Sequence, residues 1–162
     1  AACKQLDGWS APHCHEDDKL GNPMKKKVLI VDDDSDVVTA LLDRLAMVGY
    51  ETLTAGDGIA ALQILEQIRP DLMLLDLEMP HMNGFEVLKW LARKRGDGDS
   101  AYAIPVIIIT AYVTTEQAAA AIRAGIVGFV GKPFAWQQLI TVLQEAITPP
   151  SCLVPAAPPN EP

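Results

Sequence analysis

Apolar residues along this chain recur in two rhythms. Four short runs are nearly continuous, residues 27–32, 71–76 ("DLMLLD"), 105–110 ("PVIIIT") and 127–131 ("VGFVG"), and a fifth, 51–55 around "TLTA", is mixed. Each has strand length, and each is predicted as a strand. Between and after them, apolar positions return at helical intervals. Val37, Val38, Leu41, Leu42, Leu45 and Val48 form the first such stripe, and Ile59, Leu62, Ile64, Leu65 and Ile68 the second. Phe85, Val87, Leu88 and Leu91 form the third, Ala118, Ala121 and Ile122 a weak fourth, and Trp136, Leu139, Ile140, Leu143 and Ile147 the fifth. That spacing predicts five helices. Gly49, Gly96 and Gly125 stand where helices should stop. Arg93, Lys94 and Arg95 fall in the predicted last turn of the third helix, where cations suit the helix dipole. Strand then helix, five times over, predicts an α/β fold. Strands without polar alternation imply a parallel sheet covered by helices on both faces, with right-handed crossovers.

The two rhythms stop at both ends. Residues 1–24 mix Pro, Gly, Asp and His without a period. They are expected to be an unstructured leader, with Met24 as a natural start. His13-Cys14-His15 lacks the second ligand pair that a metal site needs. Residues 148–162 are Pro-rich and cannot continue a helix. The expected domain is residues 25–147.

Composition then removes whole classes of function. The net charge is −8, the opposite of a nucleic-acid footprint. Lys25-Lys26-Lys27 is a short triplet that reads as the solvated entry to the first strand. No apolar run approaches the roughly 18 residues of a membrane span, and the first 24 residues hold no apolar signal segment. The three cysteines, Cys3, Cys14 and Cys152, lie near the ends and make no disulfide framework. A cytoplasmic location is expected, with neither nucleic acid nor membrane as partner.

The strand ends carry the chemistry. In an open parallel sheet, sites form beyond the carboxyl ends of the strands. The first strand ends in Asp32-Asp33-Asp34, the third in Asp76, the fourth in Thr110, and the fifth in "GKPF" with Lys132. Two carboxylates about 4 Å apart repel by about 4 kcal/mol at an effective dielectric near 20. Their crowding asks for a hard divalent cation such as Mg²⁺, which commonly takes one or two carboxylates. One of the acids could instead be a nucleophile, since carboxylates accept phosphoryl groups. Asp76 as acceptor, with Thr110 and Lys132 around the phosphoryl oxygens, meets that requirement. Asp34 and Asp36 read as acids at a helix N-terminus. An EF-hand loop fails because Val37 stands where Gly is required. A haloacid-dehalogenase-like Mg²⁺-dependent phosphatase fits Asp32 and Asp34, though Asp36 stands where Thr or Val belongs, and it stays as the enzyme alternative.

"VLIVDDDSD", "PDLMLLDLEMPHMNGFEVL", "IPVIIITAY" and "GIVGFVGKPF" together resemble the receiver domain of two-component response regulators, over about residues 25–147. The resemblance implies a flavodoxin-like fold with strand order 2-1-3-4-5. It implies Asp76 as phosphoacceptor, and Asp32, Asp33 and Asp76 as Mg²⁺ ligands with the backbone carbonyl of Glu78. It implies Thr110 as the switch hydroxyl beside Ala111, Lys132 as the phosphate-binding cation before a cis proline, and Phe129 as the aromatic switch residue without a hydroxyl. Glu78 and Tyr112 would tune the phosphoryl lifetime. The partners it implies are a sensor histidine kinase or a histidine phosphotransfer domain, and an output protein. The chain would be a signalling domain rather than an enzyme; a phosphate-independent interaction module is the alternative of that class. The stretch "RKRGDGDSAYA" is longer than this layout needs.

Overall fold

The computed structural model describes residues 25–112 and 114–147. The expected leader and Pro-rich tail lie outside the described residues. The elements alternate throughout: β1 (Lys27–Val31), α1 (Ser35–Val48), β2 (Glu51–Ala55), α2 (Gly58–Gln67), β3 (Leu72–Leu75), α3 (Gly84–Gly96), a 3₁₀ turn (Ser100–Tyr102), β4 (Val106–Thr110), α4 (Thr115–Arg123), β5 (Gly128–Gly131) and α5 (Trp136–Ile147). The strands form one parallel sheet in the order β2-β1-β3-β4-β5.

Side chains alternate across each strand, so one strand feeds two cores. Val28, Ile30, Leu72, Leu74, Ile107 and Ile109 pack with Leu41 and Leu45 of α1 and Leu139 and Leu143 of α5. Leu29, Val31, Met73, Leu75, Val106 and Ile108 pack on the other face with residues of α2 and α3. Only Ala121 of α4 is fully buried, and Ile122, which the sequence pattern placed inward, is exposed. The helix starts follow local chemistry. Asp34 caps α1 by accepting the N–H groups of Asp36 and Val37, and Asp57 caps α2. Asn83 with Glu86, and Thr114 with Gln117, form capping boxes on α3 and α4. Gly49 ends α1 at φ 99°. α3 runs through Gly96, and Gly98 takes the left-handed conformation instead, at φ 85°. Among the described residues, no helix is long and apolar enough to cross a membrane.

Candidate phosphoacceptor site

Strand order reverses at β1, whose neighbours β2 and β3 lie on opposite sides. A crevice opens at the carboxyl ends on either side of that switch point. Register fixes what lines it. Val31 pairs with Leu75, so Asp32 and Asp76 leave the sheet at the same level. Thr110 pairs with Gly131, and the N–H of Lys132 donates to the Thr110 carbonyl at 2.8 Å. The Lys132-Pro133 bond is cis.

Asp32 and Asp76 are buried, whereas Asp33 is exposed at the crevice mouth. Carboxylate oxygens of these three acids lie within 4.8 Å of one another. Lys132 Nζ donates to Asp32 Oδ2 at 2.6 Å and to Asp76 Oδ2 at 3.2 Å. Backbone groups hold the remaining oxygens. Asp32 Oδ1 accepts the Asp34 N–H at 2.9 Å, and Asp76 Oδ1 accepts the Leu77 N–H at 2.7 Å and the Glu78 N–H at 3.4 Å.

Three carboxylates face one ammonium, so the crevice is short of positive charge. Burial is the largest influence on Asp32 and raises its pKa above the ordinary 3.8, although Lys132 and the Asp34 N–H oppose it. Burial alone would lower the pKa of Lys132. The Asp32 hydrogen bond and the charges of Asp32 and Asp76 outweigh it, and Lys132 ends above 10.5. Lys132 is therefore an ammonium near neutral pH, and the site favours a further cation. Oxygen donors and a charge deficit fit Mg²⁺.

The other expected residues lie nearby with distinct partners. Thr110 is buried, and its hydroxyl donates to the Tyr112 carbonyl at 3.0 Å rather than to the acids. Phe129 pairs with Ile108 and is half-buried against the α2–α3 core. Alternation puts it on the same face as Thr110. Glu78 is exposed, and so is Tyr112. Asp34 is an N-cap and Asp36 an exposed first-turn acid, so neither belongs to the cluster.

One anchoring residue carries no sign of its role in the apolar pattern. Arg95, which its place in the last turn of α3 assigns to the helix dipole, donates to the carbonyls of Tyr102 at 2.8 Å, Ile104 at 3.0 Å and Ala124 at 3.1 Å. The long α3–β4 connection is thereby pinned to the end of α4. Trp90 meets Tyr102 edge-on with centroids 5.0 Å apart, and Lys94 lies over both rings. The interruption by Gly96 and Gly98 hid this local docking from periodicity.

An acidic crevice with one lysine, at the switch point of a doubly wound sheet, defines a receiver-type phosphoacceptor signalling domain. Comparison with known proteins agrees: residues 28–144 match the response regulator receiver domain model. The chain belongs to this family of two-component signalling domains. Regulatory protein AtoC of Escherichia coli is 36% identical over 121 residues, which are 75% of this chain and 25% of AtoC. The DNA-binding response regulator MtrA of Mycolicibacterium paratuberculosis is 33% identical over 117 residues, 72% of this chain and 49% of MtrA. The chain thus spans a quarter to a half of these relatives' length. Among solved structures, the receiver domain of the sensor histidine kinase PA1611 from Pseudomonas aeruginosa superposes with a TM-score of 0.67 at 25% identity. The alignment covers 76% of this chain and 98% of that one, which carries a magnesium ion in its active-site cleft.

Proposed function

We propose that residues 25–147 form the receiver domain and that Asp76 accepts the phosphoryl group, from a phosphohistidine on a sensor kinase or a histidine phosphotransfer domain. One observation carries this reading: Lys132 bridges the buried Asp32 and Asp76, at 2.6 and 3.2 Å, and Asp76 is the single acid that β3 sets against the acidic pair Asp32 and Asp33 at the end of β1. In transfer, an Asp76 carboxylate oxygen bonds to phosphorus as the N–P bond of the donor breaks. Lys132 holds the equatorial oxygens as a point charge. Asp32, Asp33, Asp76 and the Glu78 carbonyl would hold Mg²⁺, which supplies countercharge to the phosphoryl oxygens.

The product adds charge and strong acceptors at the sheet edge. Thr110 then has a charged acceptor to exchange for the neutral Tyr112 carbonyl, and charge-assisted hydrogen bonds are the stronger kind. That exchange frees the segment after β4 and lets Phe129 turn inward. The α4–β5–α5 face changes with it, and an output protein reads that face. A contact made only in the phosphorylated state is what biases the two conformations. The domain promotes only its own phosphorylation and dephosphorylation. Exposed Glu78 and Tyr112 tune its lifetime. Its setting is the cytoplasm, with no nucleic-acid or membrane contact of its own.

The test is intact-mass measurement after incubation with acetyl phosphate and Mg²⁺. Wild type should gain one phosphoryl group and Asp76→Asn none. Equal labelling of the two would remove Asp76 as acceptor. Turnover of many phosphomonoesters per chain would instead favour a phosphatase.

A further inference from the structure

A short path of contacts leads from the second helix to the acceptor carboxylate. Asp76 Oδ1 is held by the Leu77 N–H at 2.7 Å, so the loop of residues 77–83 sets the carboxylate's orientation. That loop turns sharply. The Met82 N–H donates to the Pro80 carbonyl at 2.8 Å across His81, whose φ is 65°. A three-residue turn with positive φ at its centre is rare and strained. It persists only where its surroundings over-determine it.

Two glycines supply the support. The Gly84 N–H donates to the Leu77 carbonyl at 3.1 Å, and a Cβ at Gly84 would run into the Asp76 carbonyl oxygen. This closes the loop upon itself. The second support comes from outside. Gly58, the first residue of α2, donates its N–H to the Met82 carbonyl at 3.2 Å. A Cβ on Gly58 would stand 2.7 Å from that oxygen, 2.6 Å from Met82 Cγ and 2.8 Å from Val87 Cγ2. The Met82 side chain can swing aside, but Val87 is fully buried on α3 and the carbonyl moves only if the loop moves.

We propose that Gly58 is a positioning residue for phosphoryl transfer, acting as the brace that fixes the loop orienting Asp76. The proposal rests on Asp76 being the acceptor. Its test is the rate of acetyl phosphate labelling at saturating Mg²⁺, by intact mass, per folded chain as counted by circular dichroism. Gly58→Ala should label roughly tenfold or more slowly, as misplacements near 1 Å can cost on the order of a hundredfold. Leu45→Val, which trims the core on the other face, should lose stability yet label at the wild-type rate. Adding Met82→Ala to Gly58→Ala clears the Met82 Cγ clash but leaves the carbonyl and Val87 Cγ2, so labelling should stay slow. Labelling of Gly58→Ala at the wild-type rate, or its recovery in the double variant, overturns the brace. Should Gly58→Ala not fold, wild type decides: the Gly58 amide, bonded to the Met82 carbonyl, must be protected from hydrogen exchange, and a Gly58 amide that exchanges as fast as a free one overturns the proposal. Labelling of Asp76→Asn in the same assay would strike the acceptor assignment itself.

Discussion

Asp33 and Asp34 are adjacent, chemically identical and differently employed. Asp33 belongs to the acidic cluster, whereas Asp34 accepts two N–H groups at the start of α1. Their substitutions should therefore separate binding from folding. Asp33→Ala should weaken Mg²⁺ binding by roughly tenfold or more, the scale on which even outer partners of a metal site matter. Asp34→Ala should leave binding near wild type and cost about 1 kcal/mol of stability, the usual worth of an N-cap. Calorimetry and urea unfolding read the two effects, and equal losses of affinity would contradict the assignment. The cap was legible in the sequence, because an acid just before a helical stripe is a capping signal, whereas the expectation for Asp33 came from the family resemblance. Which partner Lys132 holds was not legible. It lies 100 residues from Asp32 in the chain, and sequence placed the two only on a common edge.

Elements are tied together by single side chains along the amino ends of the strands. At the amino edge, Asp71 accepts the Lys27 N–H at 2.8 Å and Lys26 Nζ at 2.9 Å, joining the start of β1 to β3. Burial, the largest influence, would raise its pKa. The hydrogen bond from the Lys27 N–H and the Lys26 ammonium outweigh it, and the folded value lies below 3.8. Such a carboxylate stabilises fully above its unfolded pKa and loses that contribution as pH falls through the lower folded one. Asp71→Asn should therefore cost about 0.5–1 kcal/mol near neutral pH, discounted for partial exposure. Urea unfolding across an acidic series should show the gap from wild type closing below pH 3.8. At α4 the tie is Arg95. Removing its three bonds leaves carbonyls unpaired, so Arg95→Ala should cost about 1–3 kcal/mol. Hydrogen exchange should quicken most around Ala124 and less elsewhere, and uniform quickening would contradict a local tie. Sequence gave no hint of this role, since a cation in a last turn satisfies the dipole equally well.

At the scale of the whole molecule, the layout was the most readable feature. Unbroken apolar strands such as Ile107–Ile109 can exist only between two layers of helices, and the structure has both layers. The strand order followed from the family's motifs rather than from periodicity. The hydroxyl of Thr110 was the least readable detail, because its bond to the Tyr112 carbonyl depends on the path of the chain after β4. That bond makes the switch testable. Phosphorylated Thr110→Ala should leave the amide resonances around Phe129 and α5 near their resting positions, while phosphorylated wild type should shift them. Full shifts in the variant would remove Thr110 from the coupling.

All of this depends on where the phosphoryl group lands. Borohydride reduces an aspartyl phosphate to homoserine, which peptide mass spectrometry can locate after labelling of wild type with acetyl phosphate and Mg²⁺. Homoserine is expected at position 76 alone. Homoserine at 32 or 33, or a label carried on His81 with position 76 unchanged, would contradict it.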